Sequence, residues 1–440
     1  MMYLPKNVLL CMQTLEQAGF KTYAVGGCVR DALLGLQPHD YDLCTDATTG
    51  DMVRLFSDHT LIRSGEKHGT IGVVVDAQVI EITTFRTEGG YEDGRHPNWV
   101  KFVSNVEEDL ARRDFTVNAM AYAPAQGYVD PFGGEEDLKK GVLRTVGDPT
   151  ERFSEDALRI LRGVRFAVRY RLTVAPETLA AMEKLAPTME KLAKERIFDE
   201  LCKLLPLVTA GDLLTFAPIL TAVLPELAPS VGFLQHNPHH LYDVFTHTAH
   251  VVEAARPGLA LRWAALLHDC GKPATFFLDE NGRGHFHGHA QVSAEMAEEA
   301  LLRLKAPTAL RERVVFLIKQ HMTTLSPDKR VLRRWLGKYG LEAVSELLCL
   351  QEADFCSKGV VGETDTFELL PKLLDVVLAE QACLQIKDLQ IDGRDLRAIG
   401  FPAGPLMGKC LAWLLEQVQD ESIPNEKEAL LHAAAAYKEK

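Results

Sequence analysis

The sequence predicts an α+β head followed by an all-α remainder, and three observations carry that expectation. Short β-branched runs cluster before Gly147, where 70–75 and 79–85 read as a hairpin around Asp76-Ala77. Beyond Gly147-Asp148-Pro149, apolar residues recur at helical spacing to Lys440 with few strand signals. A chain of 440 residues also exceeds one core, and a prior of roughly 150 residues per domain suggests about three domains. The expected partition is a head over 1–147, a helical neck over 148–224, a body over 225–365 and a helical tail over 366–440.

Composition bounds the classes of function. No apolar run reaches the ~18 residues needed to span a bilayer, and the N-terminus lacks a basic stretch and a small-residue cleavage site. The expectation is therefore a cytoplasmic chain without membrane contact. Nine cysteines, spread from Cys11 to Cys410 with no C-x-x-C pair, read as buried thiols rather than a disulfide framework or zinc ribbon. A net charge of −13 argues against a protein that coats nucleic acid over its whole surface. Such contact must be local, and 139–171 offers a place, with nine Lys/Arg against four acids. A solvated helix face is the alternative reading of that run.

Taken in order, 1–19 has helical spacing and ends at Gly19, a helix C-cap, before a strand at 23–25. A second strand is expected at 41–43. Residues 86–97, RTEGGYEDGRHP, contain three glycines and no periodicity, which predicts a mobile loop. A strand at 100–103 then leads into a helix carrying 111–119. There is no internal repeat.

The chemistry begins at 23–43, YAVGGCVRDALLGLQPHDYDL. Consecutive glycines after a strand let the backbone approach a ligand closely, and the N–H groups opening the next helix favour an anion. The pattern is neither G-x-G-x-x-G nor a Walker loop. Arg30 supplies a fixed positive charge beside the turn. On a strand at 41–43, Asp40 and Asp42 share one face. Adjacent carboxylates repel unless a cation joins them, and oxygen ligands with substrate phosphates suit Mg²⁺. Glu81, on the apolar strand VIEITTF, is either a third carboxylate or structural.

Through Gly26, Gly27, Val29, Arg30, Asp31, Asp40 and Asp42 the chain resembles the polymerase-β-like nucleotidyltransferases. Within them it is similar to the class II tRNA CCA-adding enzymes and their bacterial poly(A) polymerase relatives. The resemblance implies a polymerase-β-like head in which Asp40 and Asp42 are catalytic and bind Mg²⁺, while Gly27 and Arg30 bind nucleotide. An RNA 3′-hydroxyl would attack the α-phosphate of a nucleoside triphosphate and pyrophosphate would leave, an in-line displacement clamped by cations.

Residues 112–119, RRDFTVNA, lie in a stretch where Asp114 and Asn118, four apart, would share a helical face. Short polar groups there can bond sugar hydroxyls while Arg113 reaches phosphate; an amphipathic helix with a basic edge is the plain alternative. The string is similar to the family's R-R-D-x-x-x-N-A motif, in which the Asp reads the ribose 2′-hydroxyl.

A helix expected over 155–170 carries Asp156, Arg159, Arg162 and Arg165 on one stripe, with Leu158, Leu161, Val164 and Ala167 toward the core. Three arginines so close repel one another unless a polyanion, or an acidic partner surface, joins them. The match to the family's E-D-x-x-R motif implies a protein template for the base. Asp156 would accept from the amino group of cytosine or adenine and Arg159 would donate to the ring nitrogen. Uracil and guanine would set acceptor against acceptor, a mismatch able to reject an analogue by factors of roughly 10⁴.

Residues 194–203 resemble the family's E-R-x-x-x-E-x-x-K motif, read here as a brace for the template helix, although the i,i+4 pairs Glu195–Asp199 and Arg196–Glu200 alone could explain it. The loop string Asp93-Gly94-Arg95 accompanies addition of the terminal A in this family, and 64–70 also looks more like the CCA-adding branch than the poly(A) branch.

A second constellation follows: His247, His268-Asp269, His289, His321 and Asp354, in the order H…HD…H…H…D on predicted helices. Imidazoles with carboxylates make a borderline metal site able to activate water for phosphate-ester cleavage. The pattern resembles the HD phosphohydrolase domain, with His285 and His287 competing for the place given to His289. That resemblance implies a second divalent metal.

The expected function is template-independent addition of C, C and A to the 3′ end of tRNA from CTP and ATP. The rivals are a poly(A) polymerase of the same fold and an HD-type metal phosphohydrolase with a nucleotide-binding head.

Overall fold

A buried strand, β1 (Thr22–Val25), runs through the middle of a seven-stranded sheet whose order is β3-β4-β5-β2-β1-β6-β7. The remaining strands are β2 (Asp42–Thr45), β3 (Thr60–Ile62), β4 (Thr70–Val75), β5 (Gln78–Thr84), β6 (Ala121–Ala123) and β7 (Gly127–Val129). This computed structural model describes residues 2–89, 99–238, 240–359, 365–380 and 383–438. Its residues fall into two compact units, one formed by Met1–Val208 with Thr215–Pro225, the other by Thr209–Leu214 with Glu226–Lys440. The expected α+β head lies in the first unit, and helices dominate everything after it.

Register places the chemistry. Val25 pairs antiparallel with Asp42 on one side and with Ala121 on the other, so the Gly26-Gly27 turn leaves the sheet beside Asp42. Asp42 in turn pairs in parallel with Glu81. The β4–β5 hairpin closes through Asp76 and Ala77, both with positive φ (50° and 61°), the twist that a two-residue turn between right-twisted strands requires.

Four local expectations change. The second strand begins at Asp42, so Asp40 and Tyr41 precede it rather than share it. Arg86–Gly89 is no loop but a strand paired with Trp99–Phe102; residues 90–98, with Asp93-Gly94-Arg95, lie outside the described residues. The helix expected through 111–119 stops at Ala111, because 114–116 is drawn into pairing with 144–146: Thr116 N–H donates to Arg144 O at 2.9 Å and Val146 N–H to Asp114 O at 3.3 Å. The helix expected over 155–170 is two helices, Pro149–Glu155 and Leu158–Tyr170, broken at Asp156 (φ −143°, ψ 104°). There the Asp156 carboxylate accepts the Leu158 N–H at 3.0 Å, the N-capping habit of aspartate.

Leu158–Tyr170 nevertheless buries Leu158, Leu161, Val164 and Ala167 as the periodicity requires, each large apolar side chain contributing about 1.5–3 kcal/mol. It ends at Arg171 in left-handed conformation (φ 53°). Lys194–Leu204 packs against it.

The second unit is a helical body around Val244–Ala254, Leu259–Leu267, His289–Arg303, Thr308–Gln320 and Lys329–Cys356, with Trp263 fully buried. The tail helices Gly393–Ala398, Pro405–Gln419 and Lys427–Lys438 enclose a cluster that includes Leu396, Cys410, Leu414 and Leu430. Among the described residues no helix is long and apolar enough to cross a membrane.

Candidate active site and candidate metal centre

In the first unit a cleft of about 840 Å³ is lined by Gly27, Arg30, Asp40, Asp42, Arg113, Asp114, Asn118, Asp156, Arg159, Arg162 and Arg165. Residues as far apart in sequence as Gly27 and Arg165 therefore share one cavity, and every head and neck position singled out for nucleotide or metal lines it, except Glu81.

The turn is built for close approach. Gly26 adopts φ 75° and ψ −123°, and a Cβ there would lie 2.6 Å from Arg113 Nη1. The guanidinium packed against the turn is thus that of Arg113, held from behind by the fully buried Asp109 at 3.5 Å. Asp109 also takes Arg112 Nε at 3.0 Å and the Arg86 N–H at 3.2 Å. Sequence reading passed over Asp109; its only signal was an acid one turn before a pair of arginines.

Arg30 lines the cleft but is only 5% exposed. Its donors reach Asp31 Oδ1 at 2.7 Å, Asn118 Oδ1 at 2.5 Å and the hydroxyl of Tyr170. Asn118 then donates to Asp114 at 3.1 Å, so these two meet as expected, through a tight turn rather than along a helix. Burial pushes the Asp114 carboxyl up, but Arg162, at 2.6 Å, and the Asn118 amide outweigh it and hold the group at about 2.

Asp42 and Glu81 face each other across paired strands. Loss of solvation in the cleft, then Glu81 and Asp40, raise the Asp42 carboxyl above the usual range, with Arg113 opposing. Acceptor-only groups that raise one another are the donor set that a divalent cation satisfies.

Asp156 and Arg159 are preset by neighbours. Arg196 Nη2 donates to Asp156 at 2.7 Å, and Arg159 donates to Glu155, to Arg152 O at 3.1 Å and to Arg112 O at 3.3 Å. Arg165 pairs with Glu200 at 2.6 Å. The Lys194–Leu204 helix therefore holds Asp156 and the Leu158–Tyr170 helix through contacts between helices rather than through its own i,i+4 pairs.

In the second unit all six predicted metal ligands converge. Two trios, His247–His268–Asp354 and Asp269–His289–His321, each hold their ligand atoms within 4.8 Å. His289 takes the place disputed by its neighbours, since His285 pairs with Asp279 at 2.9 Å and stacks on Phe277. Each imidazole donates Nδ1–H to a backbone carbonyl: His247 to Ser357 at 3.1 Å, His268 to Ala265 at 2.8 Å, His289 to Phe286 at 2.8 Å and His321 to Ile318 at 2.6 Å. Those bonds turn every Nε2 atom inward, where His289 and His321 Nε2 stand 3.3 Å apart and His247 Nε2 meets Asp354 Oδ1 at 3.0 Å. Burial lowers His321 to about 4, keeping it neutral, the form a metal ligand needs. His268 Nε2 is buried 3.2 Å from Asp269 Oδ2, an oxygen that also has the Lys272 ammonium at 2.7 Å. Inward acceptors of this kind fit a cation.

Comparison with known proteins bears on both units. A family profile described as poly A polymerase head domain matches residues 22–144, one described as a probable RNA- and SrmB-binding site of polymerase A matches 171–230, and one described as tRNA nucleotidyltransferase domain 2 (putative) matches 286–434. The CCA-adding enzyme of Levilactobacillus brevis is 35% identical over 423 residues, 96% of this chain and 95% of that protein. The chain belongs to the CCA-adding enzyme family. The CCA-adding enzyme of Latilactobacillus sakei is likewise 35% identical, over 97% of each chain. Among solved structures, the Bacillus stearothermophilus CCA-adding enzyme in complex with CTP superposes with a TM-score of 0.74 at 29% identity, covering 99% of this chain and 97% of that one. A Thermotoga maritima CCA-adding enzyme complexed with tRNA shares the fold, with a TM-score of 0.62 at 21% identity over 99% and 96% of the two chains. The polymerase-β-like head expected from the glycine-aspartate motif is the head of this family, and the protein is a nucleotidyltransferase.

Proposed function

We propose that this CCA-adding enzyme builds C, C and A on the 3′ end of tRNA from CTP and ATP, releasing pyrophosphate, in the cytoplasm. The observation that carries the assignment of roles is the single cleft shared by Gly27, Asp42, Asp114, Asp156 and Arg159. In this reading the turn amides and Arg113 bind the triphosphate, with Arg30 holding the turn from within. Asp114 and Asn118 meet the ribose, and Asp156 and Arg159 select the base, with Arg162 and Arg165 beside them. The head over 1–147 supplies the chemistry and the neck over 148–224 the selection.

As a nucleotidyltransferase of this family the protein uses a divalent metal, and we infer Mg²⁺ held by Asp40 and Asp42, with Glu81 beside them. When bound, the ion lowers the pKa of the attacking hydroxyl and offsets charge on the transferred group. The chain's own part is to orient: Gly26 admits the phosphates to the backbone, and Asp109 keeps Arg113 against them.

Incubation with tRNA ending at the discriminator base, CTP and ATP, followed by sequencing of product ends, tests the reaction. A single CCA is expected, and a run of A would instead indicate a poly(A) polymerase. Asp156→Ala is expected to relax discrimination against UTP and GTP; unchanged selectivity in single-nucleotide incorporation would defeat the template assignment.

A second reading concerns the body. The inward-facing Nε2 atoms of His247, His268, His289 and His321, with Asp269 and Asp354, favour a second divalent metal and metal-dependent phosphohydrolase activity. Inactivity toward 2′,3′-cyclic nucleotides across Mg²⁺, Mn²⁺ and Ni²⁺ would count against hydrolysis.

A further inference from the structure

The template helix touches the catalytic half of the cleft at three places. Near its start, Arg159 Nη2 donates to Arg112 O at 3.3 Å; one turn on, Arg162 Nε donates to Asp114 at 2.8 Å. At its last residue, the Tyr170 ring lies under the Arg30 guanidinium, 4.1 Å from ring centroid to carbon, and its hydroxyl accepts from Arg30. Eleven residues separate Arg159 from Tyr170, about 16 Å of helix at 1.5 Å per residue. The buried apolar face and the Arg165–Glu200 pair hold the helix in the neck, and these three contacts set its position against the phosphate turn, with Tyr170 the one at its far end.

The third contact connects to the other two. Arg30 donates to Asn118 Oδ1 at 2.5 Å, Asn118 to Asp114 Oδ1 at 3.1 Å, and Asp114 Oδ2 takes Arg162. A continuous polar chain thus runs from the phosphate turn to the template. Phe166 lies at its centre: Arg30, Arg162 and Arg165 place their guanidinium carbons 5.3, 5.3 and 4.6 Å from its ring centroid. An aromatic face with three cations around it lowers the repulsion among them.

We propose that Tyr170 is a specificity-positioning residue, which fixes the base-selecting pair at a set distance from the phosphate turn by clamping Arg30. The inference rests on the template reading of Asp156 and Arg159. Loss of the clamp lets the template edge shift against a base whose phosphates stay anchored. Selection then falls more than chemistry does.

The test is steady-state incorporation of CTP and UTP on tRNA lacking its terminal C, for wild type, Tyr170→Ala, Tyr170→Phe and Asp156→Ala, with thermal melting of each. Tyr170→Ala is expected to lower the CTP:UTP ratio of kcat/KM by about tenfold, while Tyr170→Phe, which keeps the ring, stays within about threefold of wild type. If Tyr170→Ala slows CTP and UTP equally, the residue is merely structural and the proposal fails. If Tyr170→Ala does not fold, Tyr170→Leu replaces it, with the same fall expected and the same equal slowing overturning the idea. Asp156→Ala separates the two layers: retained selectivity there sinks the template reading itself, whereas loss there with an unchanged ratio in the Tyr170 variants sinks only the clamp.

Discussion

Arg196 spans the gap between two neck helices to place Nη2 2.7 Å from Asp156 Oδ2, at the break before the Leu158–Tyr170 helix. A carboxylate has room for several donors, so the pair leaves Asp156 able to accept a base amino group while fixing its plane. Glu200, the i,i+4 neighbour of Arg196, pairs with Arg165 instead.

Arg196→Ala therefore frees Asp156 without removing it. Discrimination of CTP from UTP is expected to fall by roughly tenfold to a hundredfold, the scale of a small misplacement in a site. Single-turnover incorporation measures it. Arg196→Lys should recover part of the loss, since it keeps the charge but not the planar fork.

At Gly26 an added methyl meets two obstacles, a positive φ and the Arg113 guanidinium 2.6 Å away. Gly26→Ala is expected to cost about 1–3 kcal/mol of stability in urea unfolding and to raise KM for both CTP and ATP by displacing Arg113. A variant with wild-type KM values would show that Arg113 does not serve the triphosphate.

Asp114 gives a pH signature. Its folded pKa of about 2 lies below the unfolded value of about 3.9, so its stabilisation is full above pH 4 and disappears as pH falls through 2. The difference is worth about 2–3 kcal/mol. Asp114→Asn should be less stable than wild type at neutral pH, and the gap should close between pH 4 and pH 2. Chemical denaturation across that window reads it, and a constant gap would contradict the Arg162 pairing as its cause.

Body and metal can be separated from the head. Saturating Mn²⁺ or Ni²⁺ at a hundred times its dissociation constant should stabilise the folded body by about 2.7 kcal/mol. The double variant His268→Ala/Asp269→Ala should bind one fewer ion by elemental analysis and lose that thermal shift, with CCA addition retained. Equal metal content in the two proteins would exclude the six-residue centre.

The β4–β5 hairpin and the grouping of His247, His268, Asp269, His289, His321 and Asp354 were legible because both follow local chemistry: β-branched alternation around a turn, and residue types able to ligate. Asp156 and residues 112–118 misled for one physical reason. Helical periodicity was read through positions where a side chain or a neighbouring segment captures the backbone, Asp156 by capping Leu158 and 114–116 by pairing with 144–146. Glu81 remained ambiguous because only strand register shows what lies opposite a strand residue. Asp109, Phe166 and Tyr170 carried no motif and acquire their roles from partners distant in sequence. No periodicity encodes that.

Three of the four imidazoles in the candidate metal centre are oriented by the carbonyl three residues earlier in their own chain: His268 by Ala265, His289 by Phe286 and His321 by Ile318. For His268 and His321 that carbonyl lies in the last turn of the preceding helix, so ring orientation is inherited from helix formation, and for His289 it lies in the turn before the helix opens. A cage preset in this way would accept an ion without rebuilding its walls.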